Sequence, residues 1–240
     1  MTDQPALFLG IDTATPWRTV GLWGESHGKS VLRWRATHSQ GRDLLPKIEE
    51  ILASSGCSTK DLTGVAVAAG PGSFTALRVG VSVAQGLGMG LEIPVVPLGT
   101  LEIYPPLLAE RGMRTTVLVP ARNGEVFAQC FDRNGDGRWI PQTDLGCWPV
   151  DRLNSTIENP GLIIGPGLHH YAEEVQSCYG GEAEIGEETF RTPDGSSLAE
   201  LGWLKWKRNP EGFPADDVQI EYHQSHGALT IEERKGGTSR

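Results

Sequence analysis

An aspartate near the N-terminus of this 240-residue chain is the first candidate for a catalytic or ligand-binding residue. Asp12 follows a short apolar run and begins a polar turn. In two-lobed phosphotransferases each lobe contributes such a carboxylate, and a bound magnesium offsets charge during phosphoryl transfer. The matching turn in the second half of this chain has Pro120 in place of the acid, which disfavours an active kinase or ATPase. Asp12 could contact a phosphate, or it could cap its own turn.

A glycine loop between an apolar strand and a helix is the second candidate. Gly70, Gly72 and Ser73 stand where the N-terminus of a helix favours an anion. The loop lacks the Gly-Lys-Thr ending of a Walker sequence, and it does not match the G-x-S-x-G pattern of hydrolases. It could contact a phosphate, or it could only let the strand turn tightly into the helix.

The histidines and cysteines predict neither a metal site nor a redox centre. The four cysteines lie far apart and form no C-x-x-C pair, so we expect small buried side chains. The histidines form no H-x-x-x-H or H-E-x-x-H pattern of the kind that binds zinc. A turn over residues 132–137 resembles a calcium loop but has no acid at the closing position. We therefore expect no metal and no cofactor.

The net charge of −9 is unevenly distributed. Residues 1–104 carry nine acids and eight bases, so the remaining residues supply −8 of the total. An acidic chain does not attract phosphate backbones over a broad surface, and we expect no extensive nucleic-acid surface. The basic residues Lys205, Lys207 and Arg208 are explained by a solvated helix face. No apolar run is long enough for a membrane span, and the N-terminus lacks a signal-peptide pattern, which predicts a cytoplasmic protein.

Hydrophobic periodicity predicts the elements that must position these residues. A helix with one apolar stripe should begin after Asp43, with Pro46 in its first turn, and should end at Gly56. The pair Pro105-Pro106 should interrupt a later helix. We predict strands over 7–11, 19–23, 31–36, 65–69, 93–96, 116–119, 126–131 and 162–164. Further helices are predicted over 75–89, from the turn at 165–167 to Gln176, and over 196–208.

This order of elements fits an α/β fold with two lobes of the ribonuclease-H and actin-like type. The second half of the chain repeats the strands and helices of the first half in a shorter form, so we expect a degenerate second lobe. We place the first lobe at residues 1–104, the second at 105–222 and a flexible tail at 223–240.

The predicted helix over 75–89 has an unusual composition. Gly80, Gly86 and Gly88 each cost about 1 kcal/mol relative to alanine in a helix interior, so other interactions must compensate. Apolar side chains such as Leu77, Val81 and Leu87 cover its remaining faces. Such a helix is expected to be covered on more than one side, by its own sheet and by a neighbouring helix or another chain.

The block from Gly70 to Gly80, GPGSFTALRVG, resembles the TsaB family of YeaZ-like proteins. This family takes part in forming N6-threonylcarbamoyladenosine in tRNA. Residues 9–15, 38–39 with 44–46, and 122–127 are also similar to the family. The chain departs from the usual pattern at Ala76, where glycine is common, and at Pro120, where aspartate is common.

The resemblance implies a non-catalytic subunit. It implies pairing with a TsaD-like catalytic protein through the first two helices, and a TsaE-like ATPase as a further partner. A homodimer through the same helices is expected when the partner is absent, because exposed apolar patches are usually covered. The alternative is that these side chains fill the internal core. The predicted partner interface consists of Leu44, Leu45, Ile48, Ile51, Leu52, Leu77, Gly80, Val81 and Ala84.

Two other functions remain open at this point. One is a metal- or ATP-dependent enzyme of the actin-like, glycoprotease-related superfamily that acts on its own, which would need a metal or a second carboxylate. The other is a freestanding homodimer with a regulatory role.

Overall fold

The computed structural model describes residues 5–36, 41–108, 114–122, 124–181 and 183–221. The tail predicted over 223–240 lies outside these residues, as do His38 and Ser39 of the family-like segments.

The first sheet has five strands in the order β3-β2-β1-β4-β5. Its first three strands form an antiparallel meander, β4 pairs parallel with β1, and β5 pairs parallel with β4. Every residue of β1 is buried, as is usual where both faces of a sheet are covered. The strands are β1 (Leu7–Asp12), β2 (Trp17–Gly24), β3 (Gly28–Arg35), β4 (Gly64–Ala68) and β5 (Val95–Leu98).

Two helices cover the same side of this sheet, α1 (Leu44–Ser54) and α2 (Phe74–Leu91). The start of α1 after Asp43 confirms the sequence prediction, and Gly56 follows the helix with a positive φ of 69°. Strand β5 begins two residues later than predicted. The reason is that the Ile93 amide still bonds the Gly88 carbonyl at the end of α2.

Asp43 precedes α1 but does not cap it through its side chain. Its Oδ1 lies 3.1 Å from Nη1 of Arg18, and its Oδ2 accepts a 2.7 Å hydrogen bond from Nε1 of Trp34. The Arg18 side chain is almost fully buried. Asp43 therefore ties the start of α1 to strands β2 and β3.

We expect Asp43→Asn to lower the free energy of unfolding by about 1–2 kcal/mol, because one hydrogen bond to a buried charged group is lost. Urea denaturation would measure the change. Asp136→Asn is the matched control, since the Asp136–Arg138 ion pair is largely exposed and such pairs contribute about 0–1 kcal/mol. Equal effects of the two substitutions would contradict this role for Asp43.

The second sheet has the order β11-β10-β6-β7-β8, and β9 pairs with β7. The predicted strands over 116–119, 126–131 and 162–164 are confirmed to within two residues at each end. The pair Pro105-Pro106 lies at the start of a short 3-10 helix, so the residues described up to 108 form no long helix there. The elements are β6 (Thr115–Pro120), β7 (Glu125–Arg133), β8 (Trp139–Pro141), β9 (Gly146–Pro149), α3 (Leu153–Thr156), β10 (Leu162–Ile164), α4 (Leu168–Cys178) and β11 (Glu184–Ile185).

The last helix, α5 (Gly195–Arg208), belongs to the second half of the chain but packs on the first sheet, against β1, β2 and β4. Its backbone lies very close to two strand glycines. A Cβ at Gly10 would be 2.0 Å from the carbonyl oxygen of Gly195, and one at Gly21 would be 2.0 Å from the amide of Ser196. Only glycine at these two strand positions permits this approach.

One apolar cluster joins the two lobes. It contains Ala14, Leu77 and Tyr104 from the first half, and Val119 and Ile164 from the second sheet. Within the described segments, no helix is both long and apolar enough to cross a membrane.

Candidate functional site

Asp12 lies at the end of β1 and is completely buried. Its Oδ1 accepts a 2.8 Å hydrogen bond from the amide of Ala14. The side chain therefore caps its own turn, as one of the two hypotheses for this residue predicted. Contact with a phosphate stays a prediction.

The other carboxylate oxygen of Asp12 has no hydrogen-bond partner. Burial raises the pKa of Asp12 from 3.8 to about 7, and the bond from Ala14 only partly opposes this effect. The buried Tyr104 hydroxyl also has no partner. Burial, followed by the charge of Asp12, raises the pKa of Tyr104 well above its usual value. Burial therefore favours the neutral form of the Asp12 carboxyl group more than water does.

The glycine loop after β4 is packed against backbone carbonyls. A Cβ at Gly70 would be 2.4 Å from the carbonyl oxygen of Glu221, and one at Gly72 would be 2.6 Å from that of Ala14. The Ser73 amide donates a 2.8 Å hydrogen bond to the same Ala14 carbonyl. Carbonyl oxygens carry partial negative charge and do not attract an anion. This geometry supports the tight-turn hypothesis for the loop.

The glycines of α2 allow close approach by other parts of the same chain. The Thr13 hydroxyl donates a 2.6 Å hydrogen bond to the Ala76 carbonyl, and a Cβ at Gly80 would be 2.5 Å from the Thr13 hydroxyl oxygen. A Cβ at Gly88 would be 2.8 Å from that of Ala215. Packing within the monomer therefore compensates for these two helix glycines.

Eight of the nine residues of the predicted interface pack inside the monomer. Only Leu45 is exposed, at 52%. An enclosed side chain cannot reach a partner without local unfolding, and binding of a partner through these eight residues stays a prediction. The eight enclosed residues are Leu44, Ile48, Ile51, Leu52, Leu77, Gly80, Val81 and Ala84.

The opposite side of α2 is open. A groove of about 430 Å³ follows it, and Phe74 at its end is 50% exposed. The Arg78 guanidinium lies 3.9 Å from the centre of the Phe74 ring. We call this surface the α2 face; it is lined by Phe74, Thr75, Arg78, Val79, Ser82 and Val83.

Exposed apolar side chains concentrate on α1 and α2. Of the five large apolar residues that are exposed in the described segments, Leu45, Phe74 and Met89 lie on these two helices. The other two, Ile140 and Leu204, lie on β8 and α5. The sequence held one signal for the open side, since the polar residues Arg78 and Ser82 interrupt the apolar pattern of α2 one turn apart.

In the segments that the structure describes, no three histidine, cysteine or acidic side chains cluster in a way that could hold a metal ion. The four cysteines are free thiols, and Cys130 and Cys147 are buried. Burial raises the pKa of the Cys147 thiol to about 12, so this residue is a poor nucleophile.

Comparison with known proteins identifies similar sequences. The family model for TsaD, tRNA N6-adenosine threonylcarbamoyltransferase, matches residues 35–138. The tRNA threonylcarbamoyladenosine biosynthesis protein TsaB from Haemophilus influenzae is 34% identical, with 95% of this chain and 92% of that protein aligned. The protein of the same name from Escherichia coli is 35% identical, but the match covers 55% of this chain and 57% of that one.

Solved structures confirm the two-lobed fold. YeaZ from Pseudomonas aeruginosa superposes with a TM-score of 0.73 at 24% identity, over 90% of this chain and 99% of that chain. The activator of the 2-hydroxyisocaproyl-CoA dehydratase from Clostridium difficile, solved with bound ADPNP, gives 0.50 at 9% identity, over 91% of this chain and all of that one. Identities this low establish the shared actin-like architecture and nothing about activity.

Proposed function

We propose a function for this chain from one premise, that it belongs to the TsaB (YeaZ-like) family. Its named relatives are tRNA threonylcarbamoyladenosine biosynthesis proteins. We propose that this chain takes part in N6-threonylcarbamoyladenosine modification of tRNA in the cytoplasm. Its role is that of a non-catalytic subunit, which binds a TsaD-like catalytic protein and works with a TsaE-like ATPase.

The observation that carries this proposal is the open α2 face with its flanking apolar residues. Phe74, Met89 and Leu45 are each at least half exposed, and they lie on adjacent helices. Exposed apolar surface of this kind marks interaction sites in soluble proteins. A partner that covers the groove would remove the Phe74 ring and the apolar parts of Val79 and Val83 from water.

The similarity to the TsaD family model supports the identity of the partner. The match over residues 35–138 includes α1 and α2, so a TsaD-like protein is expected to have equivalent helices. Two chains with like helices can pair around a pseudo-twofold axis. The same geometry supports the homodimer as the state of the chain when the TsaD-like protein is absent.

The geometry around Asp12 supports the non-catalytic role. Its carboxyl group is enclosed and half neutral near pH 7, and Pro120 ends β6 where a second carboxylate would stand. Backbone carbonyls of Ala14 and Glu221 lie against the glycine loop. In this proposal the arrangement does no chemistry, and the partner performs it.

Titration calorimetry with the TsaD-like protein from the same cell tests this function, together with reconstituted tRNA modification in the presence and absence of the chain. We expect binding, and we expect modification to require both proteins. Steady ATP turnover by the chain alone that is lost in Asp12→Ala would overturn the proposal in favour of an enzyme.

A further inference from the structure

After α5 the described part of the chain passes α2, and its last described residue lies near the N-terminal end of that helix. The Phe213 carbonyl accepts a 3.2 Å hydrogen bond from the Val95 amide, near the C-terminal end of α2. Val218 is buried in the core cluster that includes Val81 and Ala84 of α2. The Glu221 amide then donates a 2.9 Å hydrogen bond to the carbonyl of Ala69. Ala69 lies between the end of β4 and the glycine loop. The last described residue is therefore anchored at the N-terminal end of α2.

The rest of the chain is long enough to reach the groove. Residues 222–240 follow Glu221, whose carbonyl touches Gly70, and Gly70 is only four residues before Phe74. The helix rise of 1.5 Å per residue puts Val83 about 14 Å along α2 from Phe74. The eight residues from Glu221 to Leu229 can span about 26–29 Å when extended.

The composition of this segment complements the α2 face. Residues 228–231, Ala-Leu-Thr-Ile, form a short apolar stretch in an otherwise polar segment, and Glu232 and Glu233 follow it directly. The groove is lined mostly by apolar atoms and carries one cationic side chain, Arg78. Leu229 and Ile231 match the apolar lining. Glu232 and Glu233 stand between this stretch and the bases Arg234 and Lys235, so they are the charged groups next to the stretch and match Arg78.

We infer that residues 228–233 of this chain bind its own α2 face and compete there with the partner subunit. The competition rests on the proposed function, whereas binding of the segment does not. Displacing the segment would be the first step of assembly, so a chain without a partner keeps its apolar groove covered.

The expected strength follows from tethering. Covalent linkage of a segment to its own binding site through a few residues gives an effective concentration on the order of 1 mM. If the free segment binds with a dissociation constant of about 0.1 mM, the tethered segment weakens apparent partner affinity about tenfold.

The first experiment measures the segment in trans. The acceptor is the full-length chain with Leu229→Asp and Ile231→Asp, so that its own segment cannot occupy the groove. A labelled peptide of residues 222–240 should bind it with a dissociation constant of about 0.1 mM in fluorescence anisotropy. Adding Phe74→Asp to the acceptor should abolish binding. Absence of peptide binding up to about 1 mM, or binding unaffected by Phe74→Asp, would overturn the inference.

A charge exchange tests the contact with Arg78. Arg78→Glu in the acceptor should weaken peptide binding, and a peptide with Glu232→Lys and Glu233→Lys should restore it. Weak binding of both peptides to this acceptor would contradict the assigned pairing.

The second experiment measures competition. The full-length chain with Leu229→Asp and Ile231→Asp should bind the TsaD-like protein about tenfold more tightly than the unmodified chain. Thr238→Asp with Ser239→Asp is the matched control and should leave the affinity unchanged. Equal affinity in the first variant would overturn the competition. Failure of the partner to bind any of these chains would instead refute the proposed function, and the peptide titration would still decide whether the segment binds.

The variant with Leu229→Asp and Ile231→Asp could also form a dimer through the exposed groove. In that case the peptide should dissociate the dimer, and a dimer that persists would mean that a second copy occupies the groove.

Discussion

Replacing Phe74 by aspartate is expected to weaken binding of the TsaD-like partner by at least about 100-fold, or about 2.7 kcal/mol. The Phe74 ring is half exposed at the end of the apolar groove, and aromatic residues in such positions contribute most to interfaces. A charge in its place would also lose water on binding.

The same substitution should leave the fold stable. Phe74 is the first residue of α2, where a negative charge interacts favourably with the helix dipole. An aspartate there would also lie one turn before Arg78, so an ion pair could replace the lost ring contact. Calorimetry with the partner and thermal denaturation of the variant alone would measure the two effects. Ile140→Asp is the control, because Ile140 is similarly exposed but lies on β8 of the second sheet.

Val81→Asp gives the opposite pattern. Val81 lies on the same helix but is only 3% exposed, within a cluster that includes Val67 and Val95. A carboxylate at this position would be buried without a partner, which costs several kcal/mol and would unfold much of the protein. Circular dichroism should show this loss before any binding assay is made. A folded Val81→Asp chain that fails to bind, with normal binding by Phe74→Asp, would contradict the assignment of the open face.

The second large effect is expected from Asp12→Asn, as a change in how stability depends on pH. In the folded chain the pKa of Asp12 is about 7, against 3.8 for an ordinary aspartate. Below pH 4 both states carry the proton, and burial of the carboxyl group brings no charge penalty. Between pH 4 and pH 7 the unfolded chain loses the proton first, so stability falls as the pH rises. Above pH 7 the full penalty applies, on the order of 4 kcal/mol.

Asparagine removes this penalty and retains the oxygen that accepts from the Ala14 amide. Its buried amino group costs about 1–3 kcal/mol if it finds no partner. We therefore expect the variant to be about 2 kcal/mol more stable than the unmodified chain at pH 8, and equal or less stable at pH 4.5.

Urea denaturation at pH 4.5, 6 and 8 would measure the difference between the two proteins. Asp151→Asn, at an exposed position in the 3-10 helix that follows β9, controls for the general effect of removing one acid. A difference that stays constant across this pH range would show that Asp12 is ionised in the folded chain.

Sequence patterns alone predicted most of the local structure. The alternation of side chains in β3 and the apolar stripe of α1 reflect contacts that repeat along a few residues, and Gly56 ends that helix through local backbone chemistry. The sequence also placed the start of α1 after Asp43, although the Asp43 side chain bonds Arg18 and Trp34 and does not cap the helix. The block from Gly70 to Gly80 likewise identified the family, because such a motif is read without knowledge of any distant contact.

Tertiary packing decided which surfaces and charges are available. Arg78 and Ser82 interrupt the apolar pattern of α2, but these two residues alone do not establish its open side, which depends on Thr13 filling the space at Gly80 and Ala215 the space at Gly88. The position of α5 on the first sheet depends on Gly10 and Gly21, which lie more than 170 residues away in the chain. The charge of Asp12 also depends on the distant side chains that exclude water from it, and neighbours in sequence do not determine that enclosure.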